Sequence, residues 1–326
     1  MGRTMSRTLG AAALAAALTA AALPALAETY PSGPVHLVVA YAAGGTGDVV
    51  ARTIAPKLSI GLGQSVIVEN RAGASGALGA RSVAAATPDG LTLLVGQTAE
   101  VAINQHWLKG LNYDPDKDLL PVALLAVVPL ALVVPAMAPY STMAELVTAL
   151  RSGEHTFASA GTGTPGHFAG ELLKAKTKGN LTHVPYKGAG PALNDLIGGH
   201  VDMYFPGMPA AMPLLKSGLV KVLGVSSAKR SGIAPDVPTV AESTGIKDFD
   251  FTLWAGVFAP HGTPADVIAK LNSEINKVLN DPDTRKRLVE AGADVEVMSI
   301  AQFRAFVDAE SSKYLRIIRE TGVTAE

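Results

Sequence analysis

Two glycine-rich turns constrain this chain more than any other feature: Ala42-Ala43-Gly44-Gly45-Thr46-Gly47-Asp48 and Ser159-Ala160-Gly161-Thr162-Gly163-Thr164-Pro165-Gly166. Each follows a strand-like run, Val35–Ala40 or Thr156–Ala160, and each leads into a helical pattern. After the first turn, Val50, Ile54 and Leu58 recur at i, i+4 and i+8, with Pro56 as an expected kink. After the second, a helix is expected over Phe168–Lys176. The alternation continues through strand-like Val66–Val68, Leu91–Val95, Leu181–Tyr186, Val201–Phe205 and Val220–Ser226. Helical patterns fall over Met143–Leu150 with Ser141 as cap, Pro191–Ile197, Pro264–Leu279 and Ile300–Glu320. Such alternation calls for an α/β fold, with parallel-rich sheets flanked by helices on both faces.

A length of 326 residues suits two domains. Val122–Val134 is too long and too proline-interrupted for one central strand, and Val220–Ser227 runs into a polar stretch. These are the expected crossings between domains. They give one discontinuous domain, 28–127 with 226–326, and a second domain inserted at 128–225. Ahead of both, Arg3 and Arg7, an Ala/Leu run over Leu9–Leu23 and Ala25-Leu26-Ala27 form the pattern of a cleaved secretory signal covering residues 1–27. A periplasmic address is expected. Without Arg3 and Arg7 the chain has 25 basic residues against 28 acidic ones, a mildly acidic balance.

Composition removes several function classes. With no cysteine, there is no disulfide, thiolate nucleophile, Cys-ligated zinc or iron–sulfur cluster. No basic cluster of the kind that tracks phosphates is present, so no nucleic-acid partner is expected. Seven histidines are scattered without H-E-x-x-H or another pair at metal-ligand spacing, and no metal or other cofactor is expected. Gly161, Gly163 and Gly166 match G-x-G-x-x-G, but the following strand ends Pro185-Tyr186-Lys187, without the acidic residue a dinucleotide site uses. Ser159, His167 and Asp195 could be assembled into a triad, yet G-x-S-x-G is absent. The chain is not expected to be an enzyme.

What the two turns can do is hold an anion. Each would set backbone N–H groups at a helix N-terminus, where unsatisfied donors and the helix dipole favour negative charge. Thr46, Ser159, Thr162 and Thr164 add hydroxyls, and either turn alone could equally be an ordinary tight β–α connection. Two of them, one per expected domain, point to a small carboxylate held between domains. Tyr41 stands at the mouth of the first turn, where it can form a pocket wall. Lys187 could counter a second carboxylate or simply be solvated.

Several blocks together resemble a known family, the Bug/TctC-type periplasmic solute receptors of tripartite tricarboxylate transport systems. They are Tyr30-Pro31, Gly44-Gly45 with Asp48 and Ala51-Arg52, Val68-Glu69-Asn70-Arg71 with Gly73–Gly79, and Pro88-Asp89-Gly90. The Ser159–His167 turn, His183–Gly188 with Pro191–Leu193, Asp236–Glu242 and Trp254–Pro260 continue the match through nearly the whole mature chain.

The resemblance implies a two-domain periplasmic binding protein of type II-like form, with its ligand cleft between domains. Hinge closure would capture a small organic carboxylate (a di-, tri- or aromatic acid) and deliver it to membrane permease subunits, with the chain itself a monomer. A ligand-sensing adaptor of the same fold is the alternative, and an exported hydrolase a weaker one. Carried onto this sequence, the ligand-binding residues are Tyr41, Ala42, Ala43, Gly44, Gly45, Thr46 and Asp48, with Ser159, Ala160, Gly161, Thr162, Gly163, Thr164 and His167. A third loop at Thr98 faces the same cleft by the family pattern, and Pro206 follows the strand Val201–Phe205. Two departures bear on the ligand. Ala42-Ala43 stands where the family usually has two prolines, returning two potential N–H donors to the anion site. Pro206-Gly207 stands where an acidic residue is common, which disfavours amino acids as ligands.

Overall fold

The structure, a computed structural model, describes residues 30–232, 234–247 and 249–321. The expected signal segment lies outside the described residues. Ten strands follow in chain order: β1 (Val35–Val39), β2 (Val66–Asn70), β3 (Thr92–Gln97), β4 (Leu119–Pro129), β5 (Ala131–Pro135), β6 (Glu154–Ser159), β7 (Asn180–Pro185), β8 (Met203–Tyr204), β9 (Val220–Val225) and β10 (Thr252–Pro260). They build two five-stranded sheets of order β2-β1-β3-β10-β4 and β7-β6-β8-β5-β9.

The sheets repeat one pattern. In the first, β1 is parallel to β2 and β3, and β10 is antiparallel to β3 and β4. In the second, β6 is parallel to β7 and β8, and β5 is antiparallel to β8 and β9. Each sheet is thus mixed yet parallel-rich, as expected: four strands run one way, and β10 in the first and β5 in the second run against them. The physical reason lies in the connections. β4 runs on into β5, and β9 leads by way of the short helix Val240–Thr244 to β10, so the one reversed strand of each sheet arrives from the other sheet and not through a β–α–β crossover within its own.

Where the chain changes sheet, its two passes are stitched together. Ser226 N–H donates to the Leu130 carbonyl at 2.9 Å, Leu130 N–H to Ser226 Oγ at 3.0 Å, and Phe251 N–H to the Ser226 carbonyl at 3.0 Å. Ser226 Oγ donates in turn to the Phe251 carbonyl.

Local sequence explains most boundaries. The helix Thr46–Leu62 begins as soon as Gly45, its N-cap, permits, and it carries Pro56 inside. Thr142, rather than Ser141, caps Met143–Ser152 in a reciprocal box with Glu145. The helix Pro165–Thr177 opens three residues before the expected Phe168, because proline at the first helical position loses an N–H that has no intrahelical partner anyway. Val122–Val134 proves to be parts of two strands divided at Leu130. Trp254, Phe258 and Phe303 form the centre of the first lobe's core, and Leu132, Phe157, Phe168 and Phe205 that of the second. Among the described residues no helix is long and apolar enough to cross a membrane.

Candidate functional site

The first glycine-rich turn delivers the start of Thr46–Leu62 to the seam between the two lobes. Gly44 lies at φ +83°, a left-handed conformation that glycine adopts at little cost. Asp48 reaches back from the first turn of the helix and accepts from Gly44 N–H at 3.0 Å and from Arg52 Nε at 2.9 Å. Burial alone would raise the Asp48 carboxyl, but these bonds hold it below the usual carboxylate range. Ala42 N–H is not open to an anion: it donates across the seam to the Lys187 carbonyl at 3.1 Å. This corrects the expectation of two new donors at Ala42-Ala43, since a cross-lobe bond takes one of them. What the turn still offers is the first helical turn, where the N–H groups of Thr46, Gly47 and Asp48 have no intrahelical carbonyl to reach.

The second turn is built differently. Gly161 N–H donates to Ser159 Oγ at 3.1 Å, Gly163 N–H to His167 Nδ1 at 3.1 Å, and Thr164 N–H to the Gly161 carbonyl at 3.3 Å. Thr164 Oγ1 also donates to the Gly161 carbonyl at 2.7 Å, and His167 N–H to the Thr164 carbonyl at 3.0 Å. Pro165 has no N–H. The donors expected at Ser159, Gly161, Gly163 and Thr164 are thus consumed in holding the turn itself.

Ser159 Oγ also lies 2.6 Å from His183 Nε2, and the His183 ring stacks on His167 with centroids 4.1 Å apart. Burial holds His167 down to about 4, with Lys174 adding to it, and His183 down to about 3, with His167 and Lys174 adding. Both rings are neutral packing groups. Ser159 is fully buried and faces no cleft. His183 escaped the sequence reading because its partner is 24 residues away and no local spacing marks it.

The lobes are closed on each other. Ser75 Oγ, in the first lobe, donates to the Thr162 carbonyl of the second at 2.6 Å. A Cβ placed on Gly190 would stand 2.2 Å from the Ala43 carbonyl oxygen, and one on Gly207 would stand 2.2 Å from Thr46 Oγ1. Only glycine permits approaches this close. Gly207 thereby covers Thr46, which is 2% exposed, and Thr46 Oγ1 is buried without a hydrogen-bond partner.

Beside that orphan hydroxyl lies a cavity of about 30 Å³, room for a water molecule or two. Tyr41, Gly45, Thr46, Gln97, Ala99 and Leu253 line it from the first lobe; Leu130 stands at the crossing; Ala160, Thr164–Gly166, Ala189, Tyr204, Phe205 and Gly207 line it from the second. The structure thus brings together Tyr41, Gly45, Thr46, Ala160 and Thr164 among the expected site residues. Gly161 and Thr162 line a second cavity of about 230 Å³ with Ser75, Tyr186 and Lys187, and Tyr41 and Ala160 border both. Thr98 is turned away from the cleft, its Oγ1 accepting Trp254 N–H at 3.1 Å. Pro206 gives its carbonyl to Ala131 N–H, and its neighbours Phe205 and Gly207 form the wall instead. Gln97 was not anticipated. Its amide ends a buried strand and packs against Gly47, a juxtaposition no short motif encodes. Among the described residues no three His, Asp or Glu side chains are grouped to hold a metal ion.

Behind the cavity, Glu100 lies fully buried in the π-helical turn Ala99–Ile103. It accepts Gln97 N–H at 2.7 Å and the Tyr41 hydroxyl at 2.9 Å, and burial pushes its carboxyl up to about 8. The carboxyl therefore keeps its proton to a higher pH than an ordinary glutamic acid.

Two mixed α/β lobes of one strand order, joined by paired crossings and closed over a shared cavity, define a two-domain periplasmic binding protein fold. Comparison with known proteins narrows the class. Residues 50–323 match the sequence model described as the tripartite tricarboxylate transporter family receptor, TctC, and the chain belongs to that family. It is 35% identical over 321 residues to the protein BugT of Bordetella pertussis, covering 98% of each chain. An R. palustris protein solved with adipate superposes with a TM-score of 0.87 at 34% identity, over 90% of this chain and 99% of that one. MatC from Rhodopseudomonas palustris, solved with bound malate, gives 0.83 at 35% identity over 89% and 100%.

Proposed function

We propose that this chain is exported to the periplasm by cleavage after Ala27, captures a small organic carboxylate by closure of two domains, and presents it to the membrane permease subunits of a tripartite transporter. The domains are 28–127 with 226–326, and 128–225, hinged at the crossings that Ser226 ties together. The observation that carries this reading is Thr46 Oγ1, a buried hydroxyl without a partner, at the N-terminus of a 17-residue helix. An unsatisfied buried hydroxyl costs about 1–3 kcal/mol, and a carboxylate there would satisfy it together with the free N–H groups of the first turn. Only the closed form brings the second lobe over that group, so ligand contacts to both lobes favour closure. The adipate- and malate-bound relatives support a carboxylate as the ligand.

The test is calorimetric titration of the periplasmic protein with mono-, di-, tri- and aromatic carboxylates, repeated on Thr46→Val. A carboxylate that binds wild type and loses at least tenfold affinity in the variant supports the site. Affinity unchanged in Thr46→Val would overturn it. Delivery is read separately, as carboxylate uptake into vesicles bearing the permease that depends on added receptor.

A further inference from the structure

The larger of the two seam cavities, about 230 Å³, has one charged side chain in its lining, Lys187, and no acidic one. Both lobes build it: Tyr41 and Gly73–Gly76 come from the first, Ala160–Thr162 and Pro185–Lys187 from the second. Most of its polar side chains are spent elsewhere. Tyr186 donates its hydroxyl to Asp195 at 2.6 Å, Ser75 Oγ donates to the Thr162 carbonyl at 2.6 Å, and the Tyr41 hydroxyl donates to Glu100 at 2.9 Å. Glu100 itself lies behind Gly76, where a Cβ would stand 2.8 Å from its Oε2, and its oxygens take the Tyr41 hydroxyl and Gln97 N–H.

What remains unspent around this cavity is donors. Lys187 Nζ has no hydrogen-bond or ion-pair partner among the described residues. The N–H groups of Ala74, Ser75 and Thr162 have none there either, whereas Gly161 and Gly163 spend theirs on Ser159 and His167. An ammonium with free N–H groups and no competing carboxylate in the lining recognises a negative group. The backbone of Lys187 is also pinned to the first glycine-rich turn. Its carbonyl accepts Ala42 N–H at 3.1 Å, and two residues on, a Cβ on Gly45 would stand 3.7 Å from Ala189 Cβ. The segment Lys187–Gly190 thus runs along Ala42–Gly45, with Lys187 at one end and the Thr46 helix start at the other. Tyr41 and Ala160 border both cavities along this strip, and Lys187 is the one cation in either lining.

We infer that Lys187 is a specificity-determining residue: its ammonium, with Thr162 N–H on its own lobe and the Ala74 and Ser75 N–H groups across the seam, holds a second acidic group of the ligand in the larger cavity. The inference rests on the carboxylate site proposed above, with the first acidic group at Thr46 and the ligand extending along the shared wall of Tyr41 and Ala160. Donors from both lobes meet on the second group, so it favours closure as the first does. Lys187 is exposed and its ammonium stays in contact with water, so the pairing changes affinity by about three- to tenfold rather than by orders of magnitude.

The experiment titrates the protein, purified from the periplasm after expression of the full chain, with acids paired by chain length: butyrate and succinate, hexanoate and adipate, octanoate and suberate. Wild type, Lys187→Met, Lys187→Arg and Thr46→Val are compared. In wild type at least one diacid should bind tighter than its monoacid by about threefold or more. Lys187→Met should close that gap and leave monoacid affinity unchanged, while Lys187→Arg should keep it. No gap in wild type, or a gap that survives Lys187→Met, overturns the role of Lys187 and leaves the Thr46 site standing. Thr46→Val reads that site separately, by weakening both members of each pair. A gap closed by Lys187→Met while Thr46→Val changes nothing overturns the Thr46 site alone, and no binding of any of the six acids overturns both.

Discussion

The hydroxyl of Tyr41 donates to Glu100 Oε2 at 2.9 Å, and the same hydroxyl lies 3.2 Å from the Ser75 carbonyl. Ser75 Oγ then donates to the Thr162 carbonyl of the opposite lobe at 2.6 Å. A buried acid on one lobe is thus connected, through one phenol and one serine, to the backbone of the other. Burial raises Tyr41 as well, so the phenol stays protonated and serves as a donor at any pH the protein meets.

Glu100 makes stability depend on pH in a predictable sense. Below the ordinary value of 4.5 the carboxyl is protonated in the folded and unfolded chain alike and contributes nothing. From there to about 8 the unfolded chain gives up a proton that the folded chain keeps, so this group lowers stability as pH rises. Glu100→Gln keeps an acceptor for Gln97 N–H and removes the titration. Urea unfolding should find the variant close to wild type near pH 4 and more stable above pH 8, by on the order of a few kcal/mol. A gap of constant size across that range would contradict the argument.

The buried histidines act with opposite sign. His167 and His183, held down to about 4 and about 3, stay neutral in the fold while the unfolded chain would protonate them from about 6.5 downward. Stability that is complete at neutral pH is therefore lost as pH falls through that window. Histidine ring signals followed by NMR should include two, assignable through His167→Gln and His183→Gln, that do not move between pH 8 and pH 5.

The candidate site was half legible in the sequence, and the reasons are geometric. Gly44–Gly47 before a helical pattern announces a helix N-terminus, and that is where Thr46 lies. The second turn has the same local signature, yet its donors close on Ser159 and His167. Composition alone cannot distinguish a turn that offers N–H groups from one that consumes them. Tyr204 lies between Met203 and Phe205 in the expected strand Val201–Phe205, and in an extended segment alternate residues face opposite ways. Met203 and Phe205 enter one core, while Tyr204 packs with Ala131 and Val133 on the other face; Tyr204 and Phe205 both border the cavity. The alternation of strands and helices gave the α/β class correctly. It could not reveal that β10, from the last third of the chain, inserts antiparallel between β3 and β4, because strand order is set by long-range pairing.

Ser75 tests the cross-lobe latch. Ser75→Ala removes one neutral hydrogen bond, the 2.6 Å contact to Thr162, and leaves the backbone unchanged. A bond of this kind contributes about 1 kcal/mol, so ligand affinity should fall about three- to tenfold. Most of the change should appear as faster dissociation, because the bond exists only in the closed state. The unligated melting temperature should move little. Equal affinity and equal dissociation rate would mean that the latch is not part of closure.

Gly190 tests closure itself. It is the second residue of the helix Ala189–Ile197 and its φ is not in the left-handed region, so alanine fits the local backbone and is the better helix former by about 1 kcal/mol. The only close obstacle lies in the other lobe: the added Cβ would stand 2.2 Å from the Ala43 carbonyl oxygen. That atom belongs to the backbone, beside Ala42, whose N–H is itself bonded to Lys187. It cannot withdraw without moving the first turn away from the second lobe. Gly190→Ala should therefore fold as wild type does, yet stop short of full closure. X-ray scattering of the unligated and carboxylate-saturated forms should give a larger radius of gyration for the variant, and titration should give at least tenfold weaker binding. Wild-type affinity in a variant that scatters like the closed form would show that the seam between Gly190 and Ala43 yields, and that closure does not depend on it.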